Sequence, residues 1–182
     1  GIQHNMRHLL IPLWNAYAFF VSYANIDGWD PTTTTARTGA NLLDRWILSS
    51  LESLIQNVTA AMDNYDLQHA VRPFVRFIED LTNWYIRRSR RRFCKSQNDE
   101  DKAQAYATLY YVLLQFSKIA APFLPFVSDS IYRNLRTSTM PVSVHLCDYP
   151  ASDDTRRDTT LEKQMETVMA VVELGRQLRA AH

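Results

Sequence analysis

Six cationic side chains and no carboxylate lie between Arg87 and Lys95: Arg87, Arg88, Arg90, Arg91, Arg92 and Lys95. Guanidinium groups pair bidentately with phosphate oxygens, and an adjoining indole such as Trp84 offers a face on which an unpaired base can stack. The residue types therefore fit a polyanion that carries bases. Over residues 68–98, which add Arg72 and Arg76, eight basic residues stand against two acidic ones, Glu79 and Asp80, for a local charge of +6. The remaining 12 basic and 17 acidic residues sum to −5. The formal net charge of +1, taken alone, predicts no strong attraction to nucleic acid or anionic membrane and conceals this polarity. Only four of the 20 cations are lysine, so the chemistry is almost all guanidinium. The competing reading is a solvated basic helix end that complements the negative end of the helix dipole.

Other chemistries lack their residues. His4 and His8 have i, i+4 metal spacing but no third ligand nearby. Cys94 and Cys147, the only cysteines, are 53 positions apart with no CxxC partner, which removes a thiol-disulfide motif and a cysteine zinc site and fits a reduced, cytoplasmic compartment. No Glu-x-x-His pair, GxGxxG run, P-loop or serine elbow occurs. Asn57-Val58-Thr59 matches a glycosylation sequon, but it falls inside a helical pattern and reads as chance. No catalytic residue and no metal ligand are assigned.

The elements that must position the cations are helical. A chain of 182 residues with 46% hydrophobic content can build one core, and four Gly and seven Pro leave little material for the turns of a many-stranded sheet. Met6, Leu10, Leu13, Tyr17, Phe20 and Ala24 mark a first helix, kinked or started by Pro12 and stopped by Asp27-Gly28-Trp29-Asp30-Pro31. Asn41 or Thr38 caps a second, striped by Ile47, Leu51, Leu54, Ile55, Val58 and Met62. Asp66 caps a third from Leu67 to about Phe93, with Pro73 as a bend. Asp99, Glu100 and Asp101 open a fourth, with Tyr106, Leu109, Leu113, Phe116 and Ala120 on its buried stripe, and Pro125 opens a fifth through Leu135. Alternation in Met140–Pro150 predicts an extended piece, and a polar link leads to a last helix with Leu161, Met165, Val168, Val172 and Leu178 at helical spacing. The expected fold is an all-α bundle of about five to six helices with one short extended segment near 142–148. No apolar run approaches the roughly 18 to 20 residues of a bilayer span, and no signal peptide is evident.

At about 100° per residue, Val71, Phe74, Ile78, Leu81 and Tyr85 form the core face of the third helix. Arg72, Arg76, Asn83, Arg87, Arg90 and Arg91 fall opposite, with Phe77 and Trp84 between. Arg88 and Arg92 continue the apolar side, where they cap the core or pair with acids of a neighbouring helix. Trp14, Trp46 and Trp84 read as core residues, and Trp29, in a breaker loop, as exposed.

Several stretches then carry a resemblance. Leu13-Trp14-Asn15-Ala16-Tyr17 with Phe19-Phe20, Ala24 to Trp29, Leu43 to Ser49, Asn64-Tyr65-Asp66, Asp80 to Phe93, Ala121 to Phe126 and Ser143 to Pro150 occur in the order seen in the anticodon-binding helical domain of the isoleucyl branch of class I aminoacyl-tRNA synthetases. Asp80-Leu81-Thr82-Asn83-Trp84-Tyr85-Ile86-Arg87-Arg88-Ser89-Arg90-Arg91-Arg92-Phe93 is the most specific of them. Cys94 departs from the pattern, where an aromatic residue is commoner. The resemblance covers nearly the whole chain and implies a domain over 1–182, with 1–150 as main bundle and 151–182 as polar link and start of a C-terminal helix. It implies a fragment of a larger synthetase that attaches isoleucine to its tRNA with ATP and Mg in a separate catalytic domain and edits valine in an inserted one. The HIGH and KMSKS signatures of that catalytic domain are absent here, so no cofactor is expected in this fragment. The implied partners are the anticodon stem-loop of isoleucine tRNA and the catalytic and editing domains of the same chain, with no membrane. The helical wheel assigns Arg87, Arg90 and Arg91 to phosphates and Asn83 or Trp84 to splayed bases, with Arg72 and Arg76 extending the surface. A valyl or leucyl counterpart, and a helical scaffold for protein partners, are the alternatives.

Overall fold

The computed structural model describes residues 6–33, 41–95 and 99–180, which form six helices, the last two joined by a link over 136–158 that holds two 3-10 turns. Helix α1 opens with a π-helical turn, Met6–Leu10, and runs on as Ile11–Asp27. It stops at Gly28, whose φ of 63° lets its N–H reach back to the carbonyls of the last turn. Helix α2 is Leu42–Asp63, and the Asn41 side chain accepts from the Leu43 N–H at 3.0 Å as its N-cap. Helix α3 is continuous in three pieces: Leu67–Glu79, a π-helical stretch Asp80–Ile86, and Arg87–Lys95. Asp66 caps it through the His69 N–H at 3.1 Å. Helices α4 (Asp99–Ala120), α5 (Pro125–Leu135) and α6 (Thr159–Ala180) follow.

Helices α2 and α3 pack as an antiparallel hairpin, and α1 and α4 close the bundle through aromatic contacts. Phe77 stacks on Phe116 of α4 at 5.8 Å, and Phe93 meets Tyr106 edge-on at 5.1 Å. Phe19 reaches Phe93 at 5.3 Å, which ties α1 to the arginine-bearing end of α3. Helix α6 docks by its first half only. Leu161, Met165 and Met169 are buried, Glu162 accepts from the Ser49 and Ser53 hydroxyls, and the Asp158 carboxylate pairs with Arg45 at 3.1 Å.

Five expectations are corrected. Residues 142–148 are not a strand: Val144–Leu146 is a single 3-10 turn, because the Asp129 carboxylate accepts from both the Ser143 hydroxyl (2.7 Å) and the Val144 N–H (3.0 Å) and folds the segment back. Val168 and Leu178 are exposed, since the second half of α6 extends past the apolar surface that buries the first. Trp29 is packed among Phe20, Tyr106 and Tyr110, with ring centroids 5.5 to 5.8 Å away, whereas Trp14 is 48% exposed on the outer side of α1. Arg7–Asp27, 21 residues, is long and apolar enough to cross a bilayer by length and composition. Its Leu13, Tyr17, Phe20 and Ala24 are buried in the bundle core.

Candidate nucleic-acid interface

The wide turn in α3 decides where its arginines point. A π-helical stretch accommodates one residue more than an α-helix, so the helix downstream is rotated by about 100° relative to a uniform wheel. Upstream, the core takes Ala70, Phe74, Phe77, Ile78 and Leu81; downstream it takes Tyr85, Ile86, Ser89 and Phe93. Thr82 donates its hydroxyl to the Ile78 carbonyl at 2.7 Å, occupying an acceptor at the entry to the stretch. The rotation carries Arg88 out of the apolar side to which a uniform wheel assigned it. Arg88 is exposed, with its guanidinium carbon 5.1 Å from the Trp84 ring centroid. Two further positions change: Phe77 is core and not flank, drawn in by its stack on Phe116, and Val71, in the exposed opening turns of α3, is not core.

Arg92 stays on the inner side and anchors the segment. Its Nη1 and Nη2 reach the two Asp44 carboxylate oxygens at 2.7 and 2.8 Å, while Nε and Nη2 bind Asp101 at 2.9 and 2.7 Å. Asp44 is 2% exposed and also accepts from the Tyr85 hydroxyl at 2.7 Å. One guanidinium thus joins α2, α3 and α4. Burial works against the charge of Arg92, and the two carboxylates more than offset it, holding the group cationic far above ordinary pH. Burial, followed by the Asp44 charge, pushes the Tyr85 phenol well up. The expected pairing of Arg92 with acids of neighbouring helices is therefore present.

With the helix so fixed, Arg87, Arg88, Arg90 and Arg91 are all exposed and make no ion pair among the described residues. Arg72 is exposed too, but 15 positions before Arg87 it lies roughly 20 Å up the helix axis, too far for both to grip one phosphate. Arg76 is neutralised, its Nε 3.2 Å from Asp80. Burial raises the Asp80 pKa, with Arg76 opposing it. Asn83 is exposed and Trp84 half-buried. These two line an open cleft of about 590 Å³ with Arg76, Arg87 and the second half of α6. Asn83, Trp84 and Arg87, named together from the sequence, line this cleft, and the opposite wall, Glu173, Arg176 and Gln177, was not named. No local signal could have found that wall, because it lies some 90 positions away in the chain and its neighbours are set only by how α6 docks.

The described residues contain no group of three His, Cys, Asp or Glu able to hold a metal ion, and His4 lies outside them. Cys94 and Cys147 are both free thiols.

The described residues thus form a mostly helical bundle that presents unpaired guanidinium groups beside an indole and a cleft. The sequence profile of a family described as the anticodon-binding domain of tRNA ligase matches residues 44–182, and the chain belongs to that family. Its similarity to individual proteins is more particular. It is 48% identical over 182 residues to the isoleucine–tRNA ligase of Protochlamydia amoebophila, covering 100% of this chain and 17% of that protein. It is 50% identical over 182 residues to the isoleucine–tRNA ligase of Chlamydia muridarum, covering 100% of this chain and 18% of that protein. With the isoleucine–tRNA ligase of Treponema denticola, the identity is 48% over 98% of this chain and 17% of the relative. The chain thus spans less than a fifth of the length of these relatives.

Proposed function

We propose that this chain receives the anticodon stem-loop of isoleucine tRNA on the outer face of α3 and serves a cytoplasmic isoleucine–tRNA ligase whose ATP and Mg chemistry takes place in a separate catalytic region. The observation that carries the reading is the row of four exposed guanidinium groups, Arg87, Arg88, Arg90 and Arg91, held by the Arg92 anchor and unpaired among the described residues. Phosphate contacts place an RNA, and splayed bases beside them are read by stacking and by polar side chains. Arg87 and Arg91 point outward after the wide turn and take phosphates; Trp84 and Asn83 lie where loop bases would come. The choice of isoleucine tRNA over valine tRNA rests on the names of the relatives.

Titrating the chain with isoleucine and valine tRNA transcripts at two salt concentrations tests this. Binding should weaken with salt and favour the isoleucine transcript. Arg91→Ala should leave the far-UV circular dichroism unchanged and reduce the slope of log affinity against log salt by about one unit. Unchanged affinity and slope for both Arg87→Ala and Arg91→Ala would sink the phosphate assignment.

A further inference from the structure

A second concave group of guanidinium side chains lies at the same end of the bundle as the α3 row. Arg45, at the start of α2, follows Asp44, the carboxylate that grips Arg92, and Arg92 itself follows Arg91 of the row. The end of the 136–158 link brings Arg156 and Arg157 to the same place, where Thr159 and Thr160 open α6. These five residues line an open pocket of about 450 Å³, in which Asp158 is the one lining carboxylate. Arg45 meets Asp158 at 3.1 Å, and Arg156 is paired outside the lining with Asp153 at 3.2 Å. Arg157 donates from Nε to the Ser53 hydroxyl at 3.2 Å and is the one guanidinium of the three without an ion pair among the described residues. Glu162 accepts from the same Ser53 hydroxyl and is not part of the lining. The lining holds no aromatic ring. An unpaired base would find nothing to stack on there, whereas a phosphate would find guanidinium and hydroxyl donors and an uncompensated cation.

Resting on the proposed role in tRNA binding, we infer that the pocket formed by Arg45, Arg157 and Thr159 takes a backbone phosphate of the double-helical stem beside the anticodon loop. The α3 row and this pocket flank the Arg92 anchor, one on α3 and the other where α2 meets α6, so a stem lying over that end of the bundle reaches both. Arg157 supplies the uncompensated charge and Thr159 a hydroxyl donor, while Arg45, held by Asp158, lines the opposite side. Contacts to backbone phosphates fix register and orientation and carry no sequence information. The pocket therefore orients the stem without selecting the loop, and two grips in place of one set the direction of its axis.

The experiment uses the whole 182-residue chain and two RNAs, the isoleucine tRNA transcript and a single-stranded RNA of its anticodon-loop sequence, each titrated at two salt concentrations. Arg157→Ala should weaken binding of the transcript roughly ten-fold and lower its salt slope by about one unit, as the loss of one charge-assisted phosphate contact does. The same variant should bind the loop RNA as tightly as the native chain does, since that RNA has no stem, whereas Arg91→Ala should weaken both. Thr159→Asp places a carboxylate in the pocket at an exposed position in the first turn of α6, where the helix dipole favours an acid. It should weaken transcript binding without lowering the melting temperature, a combination that loosening of α6 would not produce. Native affinity and slope for the transcript in both Arg157→Ala and Thr159→Asp would overturn this inference alone, and so would an equal loss of transcript and loop RNA in Arg157→Ala. Absence of any salt-sensitive binding by the native chain would overturn the tRNA reading and this inference together.

Discussion

Replacing Arg92 by methionine isolates the anchor of the arginine row. The substitution keeps much of the apolar stem volume and removes four charge-assisted hydrogen bonds to side-chain carboxylates. Asp44, whose side chain is 3% exposed, is left with the Tyr85 hydroxyl as its remaining side-chain donor. Asp101, 34% exposed, is partly resolvated and costs less. Breaking a buried ion pair by deleting one partner costs about 3 to 5 kcal/mol, because an uncompensated charge remains. For a domain of this size each kcal/mol shifts Tm by about 2 to 4 °C, so Arg92→Met should melt roughly 6 to 20 °C below the native chain. Adding Asp44→Asn removes the stranded charge and keeps an acceptor for Tyr85, and the double variant should regain most of the loss. Thermal and urea unfolding followed by circular dichroism give both numbers. A single variant within about 1 kcal/mol of native, or a double variant no more stable than the single, would refute the argument that Asp44 depends on Arg92.

Two further effects are measurable. Burial raises the Glu52 pKa above 4.5, with the Asp153 N–H at 2.8 Å and the Arg156 charge opposing it. The folded chain therefore holds that proton more tightly than the unfolded one, and ionised Glu52 is a net cost above its folded pKa that disappears below about pH 4.5. Glu52→Gln should raise Tm at pH 7, and its advantage should shrink to nothing as the pH falls to about 4.5; a pH-independent difference in a Tm series would contradict this. Glu162→Ala removes the acceptor for Ser49 and Ser53, loosens the start of α6, and should speed tryptic cleavage at Arg156 and Arg157; an unaltered digestion time course would count against that contact as the latch of α6.

Local patterns gave the elements because their causes are local. Asn41 and Asp66 cap where their side chains can reach an N–H two or three positions on, and the Ile47, Leu51, Leu54, Ile55 and Val58 stripe is buried because α2 keeps 3.6 residues per turn. The same assumption failed within α3. A wheel drawn at uniform pitch cannot register the wide turn over Asp80–Ile86, so it placed Arg88 with the core and Phe77 outside it. Periodicity put Val168 and Leu178 at helical spacing with Leu161 and Met165, but it reports a helix's own faces and not whether a neighbour is there to cover them. The cationic row was legible from composition. Its inner anchor was half legible, with Arg92 placed on the right side but Asp44 and Asp101 unnamed. The α6 wall of the cleft is a product of tertiary docking.

The outward row of Val171, Leu174 and Leu178 bears on how this chain behaves in a test tube. A helix with leucines toward solvent and charges toward its own fold should favour self-association of the chain at high concentration. A titration of the proposed RNA binding at micromolar protein would then mix binding with self-association. A series of protein dilutions, or a Leu174→Gln background, separates the two.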